Sequence, residues 1–152
     1  MSFLSELINS VTDDNLREEL HERVDIVIHK IKFIEQIPVI CLNIDQEVHS
    51  ALDYLIELAG GQVVTDPMLA KVLIYSDYQT DITTLMGRVV ASLSPEWPAV
   101  TYQRVYLMDD SKVLAKEPQD LVENLEDIAE MLHPGYFVFG NEGTSWVNFS
   151  RQ

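Results

Sequence analysis

The sequence predicts an α/β fold of three layers, αβα: a mainly parallel sheet with helices on both faces, a long N-terminal spine helix and a C-terminal β-hairpin. Two observations carry this. Three short runs, IPVICLN from residue 37, KVLIYSD from residue 71 and RVYLMD from residue 104, lack the alternation of a half-exposed strand. Such strands are buried on both faces, as in a parallel sheet. The runs also alternate with stretches whose apolar residues recur every three or four positions, the pattern of right-handed βαβ crossovers.

Taken in order, Leu4, Leu7, Ile8 and Val11 mark a short amphipathic helix. Thr12, Asp13 and Asp14 offer acceptors for a new helix start. Behind them Leu16, Leu20, Val24, Val27, Ile28, Ile31 and Ile34 form one stripe. It predicts a helix over 14–35, roughly 33 Å long at 1.5 Å per residue. Pro38 ends that helix and opens the first strand. The spacing of Val48, Leu52, Leu55, Ile56 and Ala59 predicts a helix over 45–59, closed by Gly60 and Gly61. A short strand is expected over 62–65, before Asp66-Pro67 turns the chain.

After the second strand, Thr80 or Asp81 caps a helix carrying Ile82, Leu85, Met86, Val89 and Leu93. PEWPAV, residues 95–100, reads as a turn around Trp97. Beyond the third strand and a polar loop, Pro118 suits the first position of a helix using Leu121, Leu125, Ile128, Ala129 and Leu132. Two aromatic segments, YFVFG and SWVNF, flank residues 141–144 and predict the hairpin. Its aromatic residues are expected to load a sheet edge that a partner chain covers. With no repeat and no linker the chain is one domain: N-terminal helices over 1–37, an α/β core over 38–137 and a hairpin extension over 138–152.

The 152 residues suffice for a real core. Apolar residues are 47% and charged residues 23%, as in globular proteins. Against 25 acids stand 10 Lys plus Arg, a net charge of −15. That surface repels phosphate backbones, so no nucleic-acid partner is expected. The single cysteine, Cys41, lies in an apolar run and reads as a small buried hydrophobe. No signal-peptide pattern and no run of transmembrane length is present, which predicts a cytoplasmic protein without a transmembrane segment.

Ligands of open α/β sheets bind beyond the carboxyl ends of the strands. Three loops fall there, 43–46, 76–80 and 109–116. They supply Asp45, Gln46, Asp77, Tyr78, Gln79, Asp109, Asp110 and Lys112 as candidate ligand-binding residues, with Trp97 as a stacking surface. Acids, amides and a tyrosine suit a polar small molecule; as single residues they are also ordinary cap and turn formers. No phosphate-binding glycine loop and no nucleophile elbow occurs. His21 and His29 are eight positions apart, too far to share a metal. No catalytic residue, no metal ligand and no cofactor is assigned, and the chain is expected not to be an enzyme.

From Pro38 to Phe137 the order of features resembles the C-terminal lobe of helical-backbone (class III) ABC-transporter substrate-binding proteins of the cobalamin, siderophore and haem type. The residues that carry it are Pro38-Val39 after a helical spine and Ala59-Gly60-Gly61 closing a helix. They continue with Trp97, Ala99-Val100 and Arg104-Val105-Tyr106, then Ile128-Ala129, Leu132-His133-Pro134 and Phe137. The resemblance implies a non-catalytic small-molecule-binding domain, with a tetrapyrrole or a siderophore as the ligand class. That family binds its ligand between two lobes, and only one is legible here. A homodimer facing two copies across one cleft is therefore expected; the alternative is an interaction or regulatory module that keeps the lobe fold without a transported ligand.

Overall fold

The computed structural model describes residues 3–77, 81–109 and 117–149. Among these residues five strands form one sheet: β1 (Ile37–Leu42), β2 (Gly61–Val63), β3 (Val72–Tyr75), β4 (Val105–Met108) and β5 (Trp146–Asn148), in the order β2-β1-β3-β4-β5. The first four run parallel, and β5 pairs antiparallel to β4 with Leu107 opposite Val147. All four residues of β3 and of β4 are buried, as are the last four of β1. Burial on both faces is why these strands read as unbroken apolar runs.

The side chains of the strands divide between two cores. Val39, Cys41, Val72, Ile74, Tyr106 and Met108 face α1 (Phe3–Asn9), α2 (Asp14–Ile31), α3 (Asp53–Leu58) and a C-terminal helix, Pro118–Leu132. Ile40, Leu42, Leu73, Tyr75, Val105 and Leu107 face α4 (Ile82–Val89), the 3₁₀ turn Val90–Ser92 and α5 (Pro98–Thr101). The Pro118–Leu132 helix is α6. The two-residue alternation of each strand thus feeds both layers, giving the expected three-layer sandwich. No helix among the described residues is long and apolar enough to cross a membrane.

Start signals written in the sequence are used. Asp13 accepts from the amides of Asn15 and Leu16 at the head of α2, Asp81 accepts from Thr84 N at α4, and Pro118 opens α6. The stop signals are used too. Gly60, at φ 92°, follows the Ala59 cap of α3 in the left-handed conformation that glycine adopts without steric cost. Gly61 has no room for a side chain, since a Cβ there would lie 2.6 Å from Ile56 Cγ2. At the end of α6, Arg104 Nη2 donates to the carbonyls of Met131 and Leu132, placing a cation at the negative end of the helix dipole.

Three expectations are corrected. The spine helix ends at Ile31, about 27 Å from its start. Ile34 still packs on the core through a turn, which is what prolonged the stripe. Residues 45–52 are not helical; a tight turn leads into an isolated bridge between Leu42 and Val48, and Val48 is exposed. There is no aromatic hairpin at a sheet edge. Residues 137–145 run back along α6, where the Phe139 amide donates to Glu130 and Asn141 Nδ2 donates to Asp127, and only β5 joins the sheet. Phe137 and Trp146 are buried, the latter edge-on to Tyr106 at 5.7 Å.

The end of α5 departs from the usual chemistry. Gln103 N donates to Val100 O, Arg104 N donates to Ala99 O, and Gln103 itself holds φ 58°. This is a Schellman turn with glutamine where glycine is favoured. Gln103→Gly is expected to raise the unfolding free energy by about 1 kcal/mol, read as a higher urea midpoint at unchanged slope. An unchanged midpoint would show that this turn carries no strain.

Candidate functional site

The strand order makes β1 the pivot of the sheet. From β1 the chain passes first to β2 on one side and then to β3 on the other. The connections diverge at this point, which in open α/β sheets is where ligands bind, beyond the carboxyl ends of the two strands. Residues 43–47 and Ser76-Asp77 border this end.

Asn43 builds the first loop. Its Oδ1 accepts from the amides of Asp45 at 2.9 Å and Glu47 at 3.0 Å, and its backbone amide donates to Glu47 O. An Asx turn of this kind replaces the first turn of the expected helix. It drives Gln46 into the left-handed region at φ 65°. The Gln46 side chain folds inward and its Oε1 accepts from Tyr75 OH at 2.7 Å. Burial pushes the Tyr75 phenol up to about 12, the Gln46 hydrogen bond pulling weakly the other way. Tyr75 is therefore a fixed donor at neutral pH. Gln46 Nε2 is buried and has no hydrogen-bond partner among the described residues.

The second loop is tied to the first and to the third strand. Ile44 N donates to Asp77 Oδ2 at 3.3 Å, and Ser76 Oγ donates to Met108 O at 3.0 Å. Asp109 leaves β4 with its amide bonded to Ser145 O at 3.0 Å, so the turn over 141–145 also borders this end.

The sheet thus brings Asp45, Gln46, Asp77 and Asp109 to one end: Asp45 and Asp109 exposed, Gln46 half-buried, Asp77 buried. Tyr78, Gln79, Asp110 and Lys112 lie outside the described residues. Trp97 is not brought there. It precedes α5, which leads into the amino end of β4, and it is half-buried against the second core. Sequence reasoning missed Asn43, Tyr75 and Ser76. Only Asn43 left a signal, an Asx residue at the end of an apolar run. The arrangement offers hydrogen-bond donors and acceptors and negative charge. No group of three His, Cys, Asp or Glu that could hold a metal ion gathers among the described residues.

No family model and no curated protein matches the chain. Solved structures do. An ABC-transporter substrate-binding protein from Listeria monocytogenes EGD-e superposes with a TM-score of 0.58 at 13% identity, covering 84% of this chain and 61% of that one. The TroA-like periplasmic binding protein FepB from Veillonella parvula gives 0.57 at 12% identity, covering 82% of this chain and 48% of that one. Most of this chain thus matches only part of each.

The chain has the fold of one lobe of a substrate-binding protein. In this lobe α2 is the spine, and the carboxyl ends of β1, β3 and β4 form one face. The lobe spans about half to three-fifths of the length of those two structures.

Proposed function

We propose that this lobe is a non-catalytic binding domain that holds a small molecule over the carboxyl ends of β1 and β3. The observation that carries the reading is the match of a single-lobe fold to substrate-binding proteins. Gln46 supports it locally. A left-handed non-glycine backbone and a buried amide donor without a partner among the described residues meet at the pivot of the sheet. Strain and unsatisfied polarity of this kind concentrate at ligand sites. By resemblance the ligand class is a tetrapyrrole or a siderophore, and a second copy supplies the facing surface in a cytoplasmic homodimer.

The test is a thermal melt of the chain with cobalamin, haem and siderophores in turn. A ligand at a hundred times its Kd stabilises by about 3 kcal/mol, several degrees for a domain of this size. Gln46→Ala should remove most of that shift. Light scattering at several concentrations should show a dimer; a strict monomer removes the shared cleft.

A second reading is favoured by a specific observation. Much of the polarity at this end serves the protein itself: Asn43 shapes its loop, Asp77 holds Ile44, and Ser76 holds Met108. An interaction or regulatory module that kept the fold without the ligand would look the same. A blank ligand panel selects that reading.

A further inference from the structure

A concavity opens at the amino ends of β3 and β4, away from the loops just described. It is a cleft of about 520 Å³ lined by Met68, Leu69, Lys71, Pro98, Tyr102 and Arg104. The segment before β3 forms one wall, and α5 with its terminal turn forms the other. Met68 is 50% exposed, Leu69 64% and Tyr102 73%. Large apolar side chains gathered in solvent mark a binding surface.

Both walls are fixed by the backbone. Asp66 Oδ1 accepts from Met68 N, and Leu69 N donates to Asp66 O, each at 2.9 Å. The opposite wall ends in the Schellman turn, whose left-handed Gln103 follows Tyr102 directly. The cleft is thus built before any ligand arrives, which lowers the cost of binding.

Its charge is opposite to that of the molecule. The chain carries −15, yet among the described residues the ionic ones lining the cleft are Lys71 and Arg104, and no carboxylate lines it. Arg104 is held by Tyr106 OH, which accepts from its Nε at 3.0 Å, and by the two carbonyls ending α6. These partners carry no formal charge, so the guanidinium is positioned and only partly offset by the negative end of the α6 dipole. Lys71 makes no ion pair among the described residues.

We propose that this cleft binds a small anionic amphiphile, an aryl or acyl body carrying one carboxylate or sulfonate. The apolar body lies along Leu69, Pro98 and Tyr102, and the anionic head meets Lys71 and Arg104. The volume is that of an ordinary ligand pocket, and apolar walls with a few placed polar groups are its usual lining. A polyanion or an acidic protein would be repelled by the surrounding surface; a single charge on an apolar body pays far less.

The test follows 1-anilinonaphthalene-8-sulfonate fluorescence on the full chain, with laurate as competitor. Saturable one-to-one binding with a Kd below about 1 mM and displacement by laurate are expected. Tyr102→Ala and Lys71→Glu should each weaken it by about tenfold or more. Both residues are exposed, and circular dichroism melts check that the variants fold. Arg88→Glu makes the same charge change on α4, outside the cleft, and should leave binding unchanged. Absence of saturable binding, or equal binding by the wild type and both cleft variants, overturns the proposal. So does an equal loss in Arg88→Glu. A concentration-dependent dimer that Tyr102→Ala dissolves would also overturn it, because a second copy would then fill the cleft.

Discussion

Arg23→Ala should lower the unfolding free energy by about 3 kcal/mol. Arg23 reaches from α2 to α6 and grips Glu126 with two nitrogens, one of them Nε at 3.1 Å from Oε2. The Glu126 side chain is 8% exposed and that of Arg23 30%. The Glu126 hydrogen bond raises the Arg23 guanidinium above its ordinary value, against the opposing pull of burial. Removing the arginine strands a buried carboxylate, and that desolvation is the main source of the loss. The paired change Arg23→Met with Glu126→Leu removes both charges and should cost far less, or stabilise. Urea unfolding of the two variants separates a stranded charge from a lost contact. Equal losses would mean that packing alone joins the helices.

Asp127→Asn should stabilise the protein at pH 8 by about 2–3 kcal/mol and give no gain at pH 4. Asp127 is fully buried on α6. Burial drives its carboxyl up to about 6 from 3.8, against the lowering hydrogen bond from Asn141; Glu123 adds to the rise, Ser145 opposes it and Glu126 adds a little more. The folded state therefore holds the proton more tightly than the unfolded chain. The stability so contributed is fully present below about pH 4 and is lost as pH rises through about 6. An asparagine oxygen can accept the same Asn141 bond without carrying a charge. Thermal melts of wild type and variant from pH 4 to pH 8 should diverge as pH rises. Parallel curves would mean that Asp127 is ionised at little cost.

Strands β1, β3 and β4 were legible because double-sided burial writes itself as an unbroken apolar run. Helix α6 was legible because Pro118 opens it and an amphipathic stripe runs along it. The helix expected over 45–59 failed in its first half for a local reason. Val48 and Leu52 have helical spacing, but the Asn43 side chain captures two amides and turns the chain first. The hairpin failed for a tertiary reason. Phe137 and Phe139 stack on each other beside α6, with ring centres 5.6 Å apart, so their aromatic character served a core and not an edge. The candidate site was legible as a set of loops, since chain order and strand direction decide which loops share an end. Its internal bonds were not, because Gln46 and Tyr75 are 29 positions apart. The amino-end cleft left no trace, since its walls come from segments about thirty residues apart that only the sheet brings together.

The margins of the sheet are β2 and β5, three residues each. Three residues offer roughly 10 Å of open backbone, too little to template another strand, and the two margins run in opposite directions. Strand-by-strand aggregation, the ordinary hazard of an open sheet, is therefore blocked at both sides by brevity alone. Among the described residues, then, the sheet margins offer little for a second copy to extend, and the larger surfaces are side chains on helices and loops, which surface substitutions can alter while leaving the fold untouched.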